Sequence, residues 1–276
     1  MISGDRDPLA DVVNMLDQPA IDISDDASDP LRFQNSIQLR TIGFRYESHS
    51  ELILDQFELS VTKGTRIGLV GETGCGKTTA LDLLMGLLEP TSGSIYVDDR
   101  LLTTDMRRSW QATISHVPQD VFIADASLYE NITFGIAVED SVRRRVLEAI
   151  QISELSGLEV ASPSLLVSQS IGERGSRLSA GERQRVGIAR AIYHGGDVLV
   201  LDEGTNSIDE ATEQRILNNL TEYRPDLTLI IVSHRMSTIS ACQTVAVISE
   251  GKIVAEGPFD EIRETSPEFR ALIRRS

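Results

Sequence analysis

The sequence predicts an α/β protein with a mainly parallel sheet that is covered by helices on both faces. Short, almost wholly apolar runs such as VLVLDE and LTLIIVS are typical of strands buried on both sides. Segments with helical spacing of apolar residues, such as ATEQRILNNLTEY, alternate with these runs. A glycine-rich stretch, GETGCGKTTA, also joins a predicted strand to a predicted helix.

The composition is that of a globular protein, with 41% hydrophobic and 25% charged residues among 276. The formal net charge of -16 argues against a nucleic-acid partner held by a broad basic surface. Two cysteines, Cys75 and Cys242, cannot form a disulfide framework and indicate a reducing compartment. No apolar run approaches the length that crosses a bilayer.

The first 34 residues differ from the rest. Leu9, Val12, Val13 and Leu16 fall at helical spacing, and the acidic segment DISDDASDP follows them. A disordered tail and the end of a helix from an upstream domain are both compatible with this spacing. A folded pattern starts with SIQLRTIGFRY.

The folded part is justified element by element along the chain. Residues 37–40 and 43–46 are predicted short strands, RIGLVG is a buried strand, and residues 77–88 form an amphipathic helix. The stretch TSGSIYVDD predicts a turn and a strand, and residues 128–193 are rich in helix. The remaining strands are VLVLDE, LTLIIVS and the hairpin TVAVISEGKIVAEG, which turns near Glu250 and Gly251.

The glycine-rich stretch fits the pattern G-x-x-x-x-G-K-[ST] of a phosphate-binding loop, or P-loop. Glycines let successive N–H groups converge on an anion, and the helix that follows directs its positive end at the same place. Lys77 adds a mobile charge for the terminal phosphates, and the Thr78 hydroxyl suits Mg²⁺. The predicted phosphate-binding residues are Gly71, Glu72, Thr73, Gly74, Cys75, Gly76, Lys77, Thr78 and Thr79.

Two carboxylates, Asp202 and Glu203, end the strand VLVLDE, at the edge where ligands of open α/β sheets gather. Asp202 is suited to hold Mg²⁺ through its waters, and Glu203 to orient and polarise an attacking water. The alternative is that both are ordinary polar residues after a strand, since acidic side chains often cap the next helix. Together with the phosphate-binding loop, they favour a nucleotide-hydrolysing site.

From about Ser36 onward the chain resembles the nucleotide-binding domain of ABC transporters. The segment LSAGERQRVGIARA resembles the signature of that family, and HVPQD places Gln119 at its Q-loop. NSID resembles the D-loop and ends in Asp209, and IVSHR places His234 at the switch histidine. Tyr46, in GFRY, matches the aromatic residue that stacks on adenine.

The resemblance implies a P-loop NTPase (RecA-like) core, an N-terminal antiparallel β subdomain and an inserted helical subdomain at about 121–190. Residues 35–276 would form the ATP-binding domain, and 1–34 a linker from a missing membrane domain. It also implies a catalytic role for Glu203, His234 and Gln119, and ATP and Mg²⁺ as cofactors. Thr78, Gln119 and Asp202 would serve the metal.

The resemblance further implies that two chains sandwich two ATP molecules. Ser179 and Gly181 would then bind the γ-phosphate held by the partner's P-loop, and Asp209 and Gln119 are also expected among the nucleotide-binding residues. The chain departs from the common L-S-G-G-Q signature, because Ala180 replaces a glycine and Glu182 places a carboxylate near a phosphate-binding helix end. Such a charge is unfavourable unless Glu182 points away.

The segment IGERGSRLSAGE resembles the X-loop of exporters. We therefore expect the ATPase domain of an exporter, whose partners are a transmembrane domain and a second ATP-binding domain in an ATP-dependent homodimer. Its expected place is the cytoplasmic face of an inner or plasma membrane. Two alternatives remain: a soluble ABC ATPase without a transport role, and a nucleotide-dependent regulatory module that does not hydrolyse ATP.

Overall fold

The structure, a computed structural model, describes residues 31, 33–46, 51–134, 140–156, 170–172 and 175–274. The predicted helical pattern at Leu9–Leu16 and the acidic segment after it lie outside the described residues. Leu31 and Phe33 precede the predicted boundary at 34/35, yet both are buried in the core. The Phe33 ring packs edge-on against Trp110, with ring centroids 5.6 Å apart.

Strands and helices alternate along most of the chain. The strands are β1 (Ser36–Phe44), β2 (Leu54–Thr62), β3 (Arg66–Gly71), β4 (Ser92–Val97), β5 (Arg100–Leu101), β6 (Ile114–Val117), β7 (Val198–Asp202), β8 (Thr228–Val232), β9 (Thr244–Ser249) and β10 (Lys252–Gly257). The helices are α1 (Lys77–Leu84), α2 (Arg107–Gln111), α3 (Leu128–Thr133), α4 (Asp140–Ile152), α5 (Ala180–His194), α6 (Glu210–Tyr223), α7 (Met236–Ser240), α8 (Phe259–Thr265) and α9 (Pro267–Ile273), with a 3-10 turn at Thr104–Met106.

The strands form two sheets. A six-stranded sheet has the order β10-β9-β3-β8-β7-β6, in which only the edge strand β10 is antiparallel to its neighbour. Apolar side chains on β7 alternate between two clusters, with Val200 in one and Leu199 and Leu201 in the other, so both faces of the sheet are buried. This confirms the predicted α/β class. The other sheet is antiparallel, with the order β2-β1-β4-β5.

The predicted strands at 37–40 and 43–46 are wrong as two elements, since β1 is one strand that ends at Phe44. Its pairing with β2 shifts register between Leu39 and Ile42, and Thr41 has a positive φ of 52°. A bulge of this kind bends a strand without ending it. The local interruption in the apolar pattern therefore reflects a bulge.

The helix predicted over 77–88 ends earlier, at Leu84. Gly86 has a φ of 69°, and the N–H groups of Leu87 and Leu88 both donate to the Asp82 carbonyl. A left-handed glycine just beyond the last turn is a common way to stop a helix. The apolar residues that continue the helical spacing beyond Leu84 belong to this turn.

Helices α3, α4 and α5 pack on one another through an apolar cluster of their own, which includes Tyr129, Val146 and Val186. This helical layer overlaps the predicted inserted subdomain at 121–190, although α5 continues to His194. Residues 135–139, 157–169 and 173–174 of that range are outside the described part. Glu173 of the predicted X-loop is therefore not described. Within the described ranges, no helix has both the length and the apolar character needed to cross a bilayer.

Candidate functional site

The P-loop between β3 and α1 depends on glycine at three positions. Gly74 and Gly76 have left-handed φ values of 81° and 106°, which side chains rarely adopt. A Cβ at Gly71 would lie 2.4 Å from the carbonyl oxygen of Ile248, so the end of β3 approaches β9 too closely for any larger residue. No atom lies within 4 Å of the position a Cβ would take at Gly74. The loop is thus tightly folded at its base and open at Gly74.

Lys77 is buried at the start of α1. Its Nζ donates to the carbonyl oxygens of Gly71 and Glu72, each at 2.8 Å. The ammonium group therefore lies across the loop, within reach of an anion cradled by it. Glu72, Thr73 and Gly74 are exposed around this position, as a phosphate-binding loop requires.

Cys75 lies inside the loop, and its Sγ is 3.9 Å from Lys77 Nζ. The N–H groups of the loop, the start of α1 and the ammonium of Lys77 would favour a thiolate here, but burial has the larger effect. Burial raises the pKa of the Cys75 thiol, and the opposing charge of Lys77 does not offset it. The thiol also packs towards Gly71, where a Cβ would lie 2.6 Å from Sγ.

Tyr46 extends from the end of β1 towards α1. Its hydroxyl lies 3.4 Å from Thr79 Oγ1, and its ring meets Phe44 edge-on with centroids 4.9 Å apart. Thr79 is buried, whereas the neighbouring Thr78 is exposed. The antiparallel sheet therefore brings an aromatic ring beside the phosphate-binding loop, although Tyr46 precedes Lys77 by 31 positions in the sequence.

Asp202 is the last residue of β7, and Glu203 and His234 follow β7 and β8 at the same carboxyl edge of the parallel sheet. Glu203 Oε1 lies 3.0 Å from His234 Nε2. Because an ionised carboxylate only accepts hydrogen bonds, this ring nitrogen is the donor. Burial, followed by the charge of Glu203, raises the pKa of Asp202, while the charge of Lys77 lowers it. Lys77 of the P-loop is thus close enough to Asp202 of β7 for its charge to act on that carboxyl group.

The donor set fits Mg²⁺ bound together with a nucleotide. Thr78 and Asp202 supply oxygen atoms, and Gln119 is exposed just after β6, the strand next to β7. No group of three or more His, Cys, Asp or Glu residues suited to a metal occurs in the ranges that the structure describes. Mg²⁺ is usually held by one or two protein ligands together with phosphates and water, which is what this edge offers.

Gln184 is a buried residue of α5 that the sequence analysis did not select. Its side-chain oxygen accepts from Ser207 N at 2.7 Å, and its Nε2 lies 3.4 Å from the carbonyl oxygens of both Gln119 and Glu203. One side chain therefore contacts two loops of the predicted site, the one after β6 and the one after β7. Helical spacing was an available signal, because Gln184 is on the same face as buried Ile188 and Ala191.

Ser179 is the N-cap of α5 and forms a capping box with Glu182. Ser179 Oγ accepts from Glu182 N at 3.2 Å, and Glu182 Oε2 accepts from Ser179 N at 2.7 Å. The carboxylate thus folds back on the helix end, where Arg185 lies 3.9 Å away. The negative charge that Glu182 adds to the signature segment is therefore bound by the Ser179 N–H and lies close to Arg185. A Cβ at Gly181 would lie 2.8 Å from the Ser207 carbonyl oxygen, so α5 begins against the loop after β7.

Asp209 caps the next helix, α6, where its Oδ1 accepts from Thr212 N at 3.0 Å. Hydrogen bonds from Thr212 lower the pKa of Asp209. The loop between Glu203 and Asp209 is held further by Arg235, which donates to the carbonyl oxygens of Ile208 and Asn206 at 2.6 and 2.8 Å.

Arg235 is itself paired with Glu213, which is fully buried. The distance from Arg235 Nη1 to Glu213 Oε2 is 2.7 Å, and Glu213 Oε1 accepts from the hydroxyls of Thr205 and Thr238 at 2.6 and 2.8 Å. Neither Glu213 nor Arg235 was selected from the sequence. Arg235 directly follows His234, so this buried pair ties the histidine segment to α6 and to the loop after β7.

Comparisons with known proteins identify the family of the chain. A family model described as ABC transporter matches residues 54–206. The chain is 36% identical over 233 residues to an ATP-dependent lipid A-core flippase of Neisseria gonorrhoeae, covering 84% of this chain and 37% of that protein. It is 32% identical over 268 residues to a Beta-(1-->2)glucan export ATP-binding/permease protein NdvA of Agrobacterium fabrum, covering 97% and 44%.

Among solved structures, a bacterial Atm1-family ABC exporter with ATP bound matches with a TM-score of 0.84 and 28% identity, over 97% of this chain and 47% of that one. The chain therefore spans less than half the length of each of these three proteins. The family model covers more than half of the chain, including the P-loop, Gln119, the segment at Ser179 and the carboxylates after β7. The predicted resemblance and P-loop NTPase fold are confirmed: the chain belongs to the ABC transporter family.

Proposed function

We propose that the chain is the ATP-binding and ATP-hydrolysing domain of an ABC exporter, and that its ATP-driven dimerisation powers transport of a substrate across a membrane. The observation that carries the proposal is the 3.0 Å contact between Glu203 and His234 at the sheet edge that also holds Asp202. A carboxylate fixed by a histidine beside a phosphate-binding loop is suited to orient and polarise water. The names of the flippase and glucan-export relatives support the transport role.

In this proposal the loop residues 71–79 hold the phosphates, and Tyr46 stacks on the adenine ring. Thr78, Gln119 and Asp202 would hold Mg²⁺, which would neutralise charge on the terminal phosphates when bound. Glu203 would accept a proton from the attacking water, and His234 would keep the carboxylate in place and contact the γ-phosphate. Gln119 would help to align the water.

The site would be completed by a second ATP-binding domain. Ser179 and Gly181 lie at the start of α5, whose N–H groups suit an anion. The capping box uses Ser179 Oγ as an acceptor, which leaves its hydroxyl proton available to a phosphate. We propose that Ser179, Gly181 and Asp209 act across a homodimer interface on ATP bound by the partner.

We further propose that a membrane domain docks in a groove between β6 and the helical layer. This cavity of about 550 Å³ is lined by residues that include Phe122, Phe134, Tyr193 and Arg190. Phe122 and Phe134 are 70% and 74% exposed, which is unusual for side chains so apolar. We propose a membrane domain as the occupant because the relatives, which are more than twice as long as this chain, have room for such a domain. Such docking would place the domain at the cytoplasmic face of an inner or plasma membrane.

Hydrolysis is tested by measuring phosphate release from Mg-ATP by the chain and by Glu203→Gln, with the exposed Glu222→Gln as the matched control. Removing the proposed base should lower turnover by about 10²–10⁴-fold and leave ATP binding intact. The control should hydrolyse like the unmodified chain. Near-normal turnover by Glu203→Gln would disprove the assigned role. ATP binding without any release by the unmodified chain would favour a regulatory module.

Docking is tested with a photo-crosslinking amino acid at Phe134 in cells that express the whole protein. The expected adduct is a peptide from a cytoplasmic loop of a membrane domain, identified by mass spectrometry. The same probe at exposed Tyr223, outside the groove, should give no such adduct. A crosslink only to soluble proteins would favour the non-transport ABC ATPase.

A further inference from the structure

The side chain of Asn206 contacts the carboxylate that we propose as the catalytic base. Asn206 Nδ2 lies 2.9 Å from Glu203 Oε2, while His234 Nε2 lies 3.0 Å from the other oxygen, Oε1. An ionised carboxylate has no proton to donate, so the amide must present its N–H₂ group. Both oxygens of Glu203 are therefore held, one by His234 and one by the loop after β7.

Asn206 is well placed for this contact because its own backbone is fixed at both ends. Its N–H donates to the Glu203 carbonyl oxygen at 3.1 Å, and its carbonyl oxygen accepts from Arg235 Nη2 at 2.8 Å. Arg235 is anchored in turn by the buried carboxylate of Glu213 at 2.7 Å. The amide thus extends from a loop that a buried ion pair holds in place.

Glu203 has an unusual backbone conformation and a partly exposed side chain. Its φ of 52° is left-handed, which is uncommon for a residue with a side chain, and 21% of its side chain is exposed. Of its two partners, His234 is exposed over 51% of its side chain, whereas Asn206 is half-buried. A hydrogen bond from a neutral amide to a carboxylate is charge-assisted and limits rotation of the carboxylate plane.

We propose that Asn206 is a positioning residue for ATP hydrolysis, which holds Glu203 in the orientation needed to act on water. This inference rests on the proposed function. It gives a role to Asn206, a residue of the segment NSID to which the sequence motifs assigned no role of its own.

The test compares steady-state hydrolysis by the chain with that of Asn206→Asp and Asn206→Ala. Asn206→Asp keeps the shape but replaces the donor with a second carboxylate, and Asn206→Ala removes the group. We expect kcat to fall about ten-fold or more in both variants, with the lower kcat in Asn206→Asp. KM and ATP affinity should change less than about two-fold. Asn218→Asp, at an exposed position on α6, makes the same chemical change away from the site and should leave kcat unchanged.

A double-mutant comparison with Glu203→Gln distinguishes a positioning role of Asn206 from a general effect of Asn206 on the structure. In a Glu203→Gln background, single-turnover hydrolysis should show no further loss on adding Asn206→Asp, because the carboxylate that Asn206 orients is absent. An equal loss in both backgrounds, or parallel changes in kcat, ATP affinity and melting temperature, would overturn the proposal. Unchanged kcat in both Asn206 variants of an active chain would overturn it and leave the proposed function intact. No hydrolysis by the unmodified chain would overturn both.

Discussion

Lys77 Nζ and the carbonyl oxygen of Gly71 lie 2.8 Å apart, so the only cation of the P-loop is bound by the loop that it serves. A phosphate that enters must replace this contact and the one to Glu72 with charge-assisted bonds. We expect Lys77→Ala to raise the dissociation constant for ATP by about 10–100-fold, because such bonds contribute about 1.5–3 kcal/mol each. Isothermal titration calorimetry measures this dissociation constant.

The matched control for this experiment is Lys252→Ala. Lys252 follows Gly251, whose N–H donates to the Cys75 carbonyl oxygen, but the Lys252 side chain pairs with Asp55 at 2.8 Å, a carboxylate outside the P-loop. Its removal should leave ATP affinity unchanged. An unchanged affinity in Lys77→Ala, with a melting temperature that shows a folded domain, would contradict the role of the lysine.

The capping box at the start of α5 leads to a prediction about dimerisation. In the Glu203→Gln variant, which should trap ATP, light scattering should detect a dimer with Mg-ATP and a monomer without it. Adding Ser179→Ala should weaken the dimer, since the hydroxyl and the cap are both lost.

Adding Glu182→Gln to the same variant should lower the ATP concentration needed for dimerisation, because glutamine can still cap the helix while one negative charge near the phosphates is removed.

Glu222→Gln is the control for that charge effect, because it removes the same charge at an exposed position. It should not change the ATP dependence of the dimer. If Glu182→Gln and Glu222→Gln behave alike, the carboxylate of the capping box has no specific influence on the second ATP-binding domain.

The two cysteines should differ in reactivity. Burial raises the pKa of Cys242 to about 12, and it raises the pKa of Cys75 as well. Both thiols therefore react more slowly than a free thiol at neutral pH. We expect a maleimide to label Cys75, faster as the pH rises and the thiolate fraction grows, and to leave Cys242 unlabelled. Mg-ATP should protect Cys75. Mass spectrometry locates the label, and first labelling at Cys242 would refute this order.

Glu213 is expected to matter for stability. Its removal leaves Arg235 and the hydroxyls of Thr205 and Thr238 without their buried partner. Glu213→Ala should lower the free energy of unfolding by about 3 kcal/mol or more, as measured by urea denaturation. Glu222→Ala, on the exposed side of the same helix, should change it by less than about 0.5 kcal/mol. Similar values for the two variants would show that the buried network contributes little.

The sequence was sufficient to predict the parts of the site that are local along the chain. Gly71, Gly76 and Lys77 are only a few residues apart, and the reason for each glycine is a backbone conformation or a close approach within or beside the same turn. Buried parallel strands were equally predictable, because a strand covered on both faces must be apolar at every position. The proposed roles of these residues in binding and hydrolysis stay predictions.

Other features depend on contacts between distant segments and were decided only by the tertiary structure. Pairing with two neighbours keeps β1 a single strand through its bulge, which no local pattern reveals. Whether Glu182 faces a phosphate or caps its own helix depends on which hydrogen bonds its carboxylate makes. Gln184 and Arg235 bind carbonyl groups of loops that the fold brings to them. A backbone carbonyl is the same in every residue, so the sequence carries no sign of which ones a polar side chain will meet.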